Sequence, residues 1–292
     1  MLIRENAKSI AAVISSGPMG WYPLPEGPAK VHVYHGTSVG VAETSREHVS
    51  RLGYLKMKYW DGMLFEQLCG RDKIRVAVSN QVQEEVQRVF GYSTYLIWLP
   101  LDMGAFYPSD DRAVWRTRWG IPQDRVVGIF VGNSMPYKGF HVLIQLIQMI
   151  PRIFWIVVIR GNHRSELEDL PHVKLLSEVP HDQMPGLYAC ADFALTPYRL
   201  GPFSYALAEA LACGVPVIAS PARTSPEFLR HTVLRKLLVD DQDDLEGFSR
   251  AINDVIEDPG VFRQSVLELR PTLETLLSLQ CWRAKFTSLL DL

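Results

Sequence analysis

The stretch "GPFSYALAEALACGVPVIAS", residues 201–220, decides the fold. A glycine–proline turn leads into a helix that stops at Gly214, and a short β-branched strand follows at once. The helix carries one acid, Glu209. Ala206, Leu207, Ala208, Ala210, Leu211 and Ala212 surround that acid on every side, so it has no polar face to join. A buried carboxylate is costly unless it is hydrogen-bonded. The two vicinal hydroxyls of a ribose would meet that need.

Working outward, strands and helices alternate from about residue 126. "VVGIFVG" (126–132), "FWIVVIRG" (154–161), "HVKLL" (172–176) and "DFALTPY" (192–198) read as buried strands. "KGFHVLIQLIQMI" (138–150) and "HDQMPGLYACA" (181–191) have helical spacing between them. This order implies a parallel sheet covered by helices. Upstream, "KVHVYHG" (30–36), "IRVAVSN" (74–80) and "YLIWLP" (95–100) read as strands, and "QVQEEVQRVFG" (81–91) as a helix closed by Gly91. "LDMGAFYPSDD" (101–111) has the composition of a domain connection, and a long amphipathic helix is expected after Pro271.

With 47% hydrophobic and 21% charged residues, the chain has the composition of a globular protein rather than a disordered one. A formal charge of -2 gives no overall reason to wrap nucleic acid. Cys69, Cys190, Cys213 and Cys281 lack the close pairing of a zinc or redox site and read as thiols of a reducing cytoplasm. No apolar run approaches the roughly 18–20 residues that span a bilayer, and "MLIRENAKSIAAVISSG" is too polar for a signal peptide. A cytoplasmic protein is expected, with peripheral membrane contact left open.

In "FVGNSMPYKG" (130–139) a strand ends at Gly132 and Lys138 and Gly139 open a helix, a geometry that suits a diphosphate. On its own the segment reads better as an ordinary strand-to-helix turn with a solvated lysine. Together with residues 184–220, however, it resembles the nucleotide-sugar-binding domain of the retaining family 4 glycosyltransferases. The resemblance extends to "VHVYHGTSVG", to "VAVSNQVQEEVQRVFG" with "LPLDMGAFYPSD", and to "SPARTSPEFL" with Glu227, covering most of residues 30–270. It implies an α/β, GT-B-like fold of two Rossmann-like domains facing a cleft, the N-terminal one shortened. The expected bounds are 1–108 for the acceptor-side domain, 109–271 for the nucleotide-sugar domain, and 272–292 for a helix packing back on the first.

The resemblance also implies roles. Lys138 would contact the donor diphosphate, Glu209 the ribose, and backbone amides around Phe203, Ser204 and Tyr205 the diphosphate or the sugar. Gly132 and Asn133 would line the same site, Val179 would lie against the base, and His35 would sit on the acceptor side with a catalytic part. The donor would be a UDP-, GDP- or ADP-sugar and the acceptor a hydroxyl, on a glycan or a lipid-linked glycan. No cofactor and no metal are expected, since His141, His163, His172 and His181 do not pair at ligand spacing.

Three departures qualify the match. Asn133 stands where the family usually has arginine, and Gly201 stands eight residues before Glu209 where it has a first glutamate. The first domain is also short, which suggests completion by a second subunit or a homo-oligomer, a remodelled N-terminal region, or a shortened reading frame. A partner-dependent, nucleotide-binding subunit is therefore the alternative to an enzyme. A nicotinamide oxidoreductase is disfavoured, because no G-x-G-x-x-G follows a strand.

Two aromatic segments stay open at this level. "REHVSRLGYLKMKYWDGMLFEQLCGR" (46–71) reads either as a helix partly buried on the first domain or as one lying on an anionic membrane or lipid-linked acceptor. Trp21 and Tyr22 either line an acceptor pocket or cap the small domain.

Overall fold

The structure is a computed structural model that describes all residues except 1–9, 18–19, 21–25, 47–48, 161–166, 200–202, 223, 231–232 and 291–292. Trp21, Tyr22, His163 and Gly201 thus lie outside the described residues. The contacts divide the chain into two compact units: Met1–Pro100 with Leu200–Phe203 and Gln280–Leu292, and Leu101–Arg199 with Ser204–Leu279.

The first unit holds a parallel sheet in the order β1 (Ala12–Ser16), β2 (Ala29–Tyr34), β3 (Ile74–Ala77) and β4 (Tyr95–Leu96). β2 and β3 bring Val31, Val33 and Val76 into the core, as strands covered on both faces do. Their helices are α1 (Ser38–Thr44), α2 (51–70) and α3 (Asn80–Phe90), the last closed by Gly91 in the left-handed conformation. The central part of α2, Lys56–Glu66, is π-helical. β1 was not foreseen, because "AVISS" has no clean period. "YLIWLP" contributes only two residues to the ladder.

The second unit is a five-stranded parallel sheet in the order β7 (Val173–Leu176), β6 (Phe154–Arg160), β5 (Val127–Asn133), β8 (Phe193–Thr196), β9 (Val217–Ala219). The order runs outward from β5 to β7, then restarts at β8, so the switch point falls between β5 and β8. Around it lie α4 (Arg112–Trp119), α5 (Phe140–Met149), α6 (Met184–Cys190), α7 (Tyr205–Ala212), α8 (Ser225–Leu229), α9 (Leu245–Glu257) and α10 (Pro259–Leu277). The core is aromatic at its centre. Wholly buried Trp155 meets Phe193 edge-on at 5.5 Å, and a side chain at Gly128 of β5 would strike both rings within 3 Å.

At the amino ends of β5 and β8, Asp192 is held by Arg112 at 2.5 Å and Arg116 at 2.9 Å and accepts the Val127 N–H. Buried Arg116 donates in addition to the carbonyls of Cys190, Pro122, Gln123 and Arg125. That end of the sheet is tied shut, which leaves the carboxyl end for ligands.

Residues 101–108, read as connecting sequence and placed within the expected bounds of the first domain, group by contacts with the second unit. Arg270 of α10 is the reason: its guanidinium binds the carbonyls of Met103 and Phe106 together with that of Ala212. The last helix also differs from expectation. α10 begins at Pro259 and runs through Pro271, breaks at Ser278, and α11 (Leu279–Leu290) follows.

Candidate functional site

At the carboxyl end of the second sheet lies a cavity of about 650 Å³. Its walls are the ends of β5 and β6 (Gly132, Ile159), the loop from Ser177 to His181, and the first turns of α7 (Tyr205, Ala206, Glu209). Of the residues singled out from sequence, Gly132, Val179, Tyr205 and Glu209 therefore line one space. Asn133 and Ser204 adjoin lining residues in the chain, Lys138 is not among the lining residues, and His35 and Phe203 belong to the first unit.

α7 is buried along Leu207–Ala212, which is why its acid has no polar face. Glu209 is 6% exposed, and its partners come from the chain itself. Tyr188 of α6 donates its hydroxyl to Oε2 at 2.9 Å, and His181 Nε2 lies 3.1 Å from Oε1. So the carboxylate does not depend on a ligand to be satisfied. Burial, and then the charge of Glu209, push the Tyr188 phenol well above its usual value, so it stays a donor. Tyr188 was not singled out in the sequence, and His181 was weighed only as a metal ligand, because they precede Glu209 by 21 and 28 residues. Replacing Tyr188 by phenylalanine leaves the Glu209 carboxylate one donor short and should cost about 1–3 kcal/mol of stability, measured by chemical denaturation. An unchanged midpoint would show that the hydroxyl carries none of the burial cost.

Ser204 caps α7: its Oγ accepts from the Leu207 N–H at 3.3 Å. Its own N–H points to Thr224 Oγ1 at 3.3 Å, so this amide is already used within the protein. Phe203, just before it, places its ring 6.3 Å from that of Trp98, edge to face.

Lys138 sits in a 3-10 turn, Pro136–Lys138, rather than in the helix it was expected to open. Gly139 is the N-cap of α5, at φ +66. A side chain there would put its Cβ 2.0 Å from the carbonyl oxygen of Pro197, so only glycine lets the turn pack on the end of β8. The Lys138 ammonium lies 4.0 Å from the centre of the Tyr198 ring. Burial lowers its pKa from the ordinary lysine value.

Tyr198 is itself fixed, with its hydroxyl donating to the Val131 carbonyl and its ring edge-on to Phe130 at 6.4 Å. Asn133 folds the intervening loop: its Oδ1 accepts from the Met135 N–H and its Nδ2 donates to the Tyr137 hydroxyl, both at 3.2 Å. Where an arginine would bring charge, Asn133 brings a turn. Nearby, Arg199 pairs with Asp243, which also binds His141 at 3.1 Å.

In the first unit His35 is exposed at the end of β2. The loop behind it is clamped by two carboxylates. Glu85 accepts from the Thr37 N–H at 2.7 Å, and Glu66 from the Ser38 N–H at 2.6 Å and its Oγ at 2.9 Å. Burial drives Glu66 up to about 7. Among the described residues no three His, Cys, Asp or Glu side chains come together in a way that could hold a metal ion.

A buried acid, a lysine on an aromatic platform and a capped helix start all stand at the switch point of a parallel sheet. The sequence of that unit decides its kinship, because residues 111–270, over half of the chain, match the model of glycosyl transferases group 1. The chain belongs to this family. It is 29% identical over 205 residues to a GDP-mannose-dependent alpha-(1-6)-phosphatidylinositol monomannoside mannosyltransferase of Mycolicibacterium smegmatis, covering 62% of this chain and 52% of that protein. The chain thus spans about half the length of the curated relatives it matches.

Among solved structures it is similar to a sucrose-phosphate synthase from Thermosynechococcus elongatus. The TM-score is 0.80 at 20% identity, covering 99% of this chain and 75% of that one. It is also similar to Anabaena Alr3699/HepE in complex with UDP-glucose, with a TM-score of 0.71 at 21% identity, covering 90% and 72%. Both sheets of this family member are thus Rossmann-like and of GT-B type.

Proposed function

We propose that the protein transfers a sugar from a nucleotide-sugar donor to a hydroxyl acceptor, in the cytoplasm, with retention at the anomeric carbon. The observation that carries this reading is Glu209. Its carboxylate has about four lone-pair sites, and Tyr188 and His181 use one each. Two remain on the wall of the 650 Å³ cavity for the vicinal hydroxyls of a ribose.

Lys138 and the start of α7 at Tyr205 then take the diphosphate, with Gly132 and Asn133 at the same site. The loop at Val179 takes the base, and His35 serves the acceptor. The anomeric carbon–oxygen bond to the diphosphate breaks as the acceptor oxygen bonds on the same face, and the acceptor proton passes to the departing phosphate oxygen. Positive charge placed where the diphosphate gains negative charge is the main contribution to the rate. The step asks nothing of a metal.

The relatives' own names support a donor of this class: one protein is GDP-mannose-dependent and another was solved with UDP-glucose. Incubating the protein with UDP-, GDP- and ADP-sugars and measuring release of the nucleoside diphosphate tests the reading. One donor should turn over, and Glu209→Gln should raise its KM by about tenfold through weaker ribose bonds. Absence of binding to every nucleotide and donor would refute it.

A further inference from the structure

The helix α2 turns its apolar side to solvent. Its exposed positions fall in pairs four residues apart: 51 and 52, 55 and 56, 59 and 60, 63 and 64, 67 and 68. Three of these ten are polar (Arg51, Lys56 and Gln67), leaving seven large apolar side chains, with Leu52 80%, Tyr59 58% and Trp60 55% exposed. None of the ten is an acid. A surface helix normally shows the reverse pattern, charged residues outward and apolar residues inward. The spacing of four fits the π-helical turns of Lys56–Glu66, whose i→i+5 bonds put more residues in each turn than an α-helix has.

The opposite side of α2 fixes this orientation. Gly62 packs against Val39 and Gly70 against the Tyr34 hydroxyl so closely that a Cβ on either would clash. Between them Glu66 holds the start of α1. The helix therefore cannot roll to bury its apolar pairs.

We infer that this face of α2 docks on an anionic lipid bilayer. An apolar stripe with tyrosine and tryptophan at its middle and cations as its only charges matches the interfacial region of a membrane. Charge favours lipid over a protein partner: Arg51 and Lys56 are exposed on the face itself, where Lys56 is 2.8 Å from half-buried Asp61, while Arg71 at the end of the helix pairs at 3.7 Å with exposed Asp72 and Glu66 is buried. The long stems of lysine and arginine can lie along the apolar face while their charged ends meet headgroups. Docking of this kind is separate from the transfer proposed above and stands or falls independently of it.

Vesicle sedimentation tests the inference, using phosphatidylcholine alone and phosphatidylcholine mixed with phosphatidylglycerol at about two to one. The protein should sediment with the mixed vesicles, less so as salt rises. The double variant Trp60→Ser, Leu64→Ser should lose about tenfold or more of its partitioning. Lys56→Glu should weaken binding to the mixed vesicles only. Both variants should keep the wild-type nucleoside diphosphate affinity, and the double variant its melting temperature, since they touch neither the core nor the cavity. Three results overturn the inference: no sedimentation with either vesicle, sedimentation unchanged in the double variant, or a dimer in solution that the double variant converts to monomer.

Discussion

Lys138→Ala is expected to lower kcat for sugar transfer by about 10²–10³-fold, the loss typical of removing one group that stabilises a developing negative charge. The ammonium is placed rather than merely present, since the Tyr198 ring lies beneath it at 4.0 Å and that ring is held at both ends. Binding of the bare nucleoside should change little, because Lys138 serves the diphosphate. The pH profile gives a second readout. Burial depresses the lysine pKa, so the proton is lost at a lower pH than from an ordinary lysine. Activity should therefore fall on the alkaline side below the usual lysine range, and Lys138→Arg, which keeps its charge, should move that fall to higher pH. An alkaline limb identical in both proteins would assign the titration to another group.

The second large effect concerns stability. Gly139→Ala should destabilise the protein by about 3–5 kcal/mol, for two reasons that add. A left-handed φ costs a side-chain-bearing residue about 1–3 kcal/mol, and the new Cβ would lie 2.0 Å from the Pro197 carbonyl oxygen. Gly91 separates the two, because it has a similar φ of +70 with nothing within 4 Å of a Cβ. Gly91→Ala should thus cost only the backbone part. If the two variants melt alike, the contact with Pro197 relaxes and the turn is not held as described.

The second unit was more legible in the sequence than the first, for a physical reason. Strands buried on both faces, such as "VVGIFVG" and "FWIVVIRG", are continuous apolar runs bounded by glycine and polar loops, and they became β5 and β6 nearly residue for residue. β1 has exposed Ile14 and polar Ser15 and Ser16, and it pairs with β2 through backbone bonds that leave no mark on side-chain pattern. Pro271 was read as a helix start, because a proline inside a helix forfeits one backbone bond. α10 nevertheless runs through it without a break until Ser278.

Within the site, the need of Glu209 for partners could be read from its neighbours, but not which partners would come. Tyr188 and His181 reach it only because α6 packs on α7. Asn133 shows the same limit, since its loss of charge was plain in the sequence and its part in closing the loop was not. The 46–71 segment was read either as a helix partly buried on the first domain or as one lying on an anionic membrane or lipid-linked acceptor, and in the fold residues 51–70 have one buried side and one exposed side, with a π-helical period at Lys56–Glu66 that the sequence did not announce.

The Tyr198 hydroxyl has a mechanical consequence. β5 and β8 are paired only at Gly128 with Phe193 and Ile129 with Ala194, and beyond those residues the ladder stops. The phenol reaches across the gap to Val131, so it works as a strut between two diverging strands. The width of the crevice at the switch point is then set by the length of one aromatic side chain. A ligand entering there meets a frame of fixed span, and any adjustment to its size must come from the side chains that line the frame.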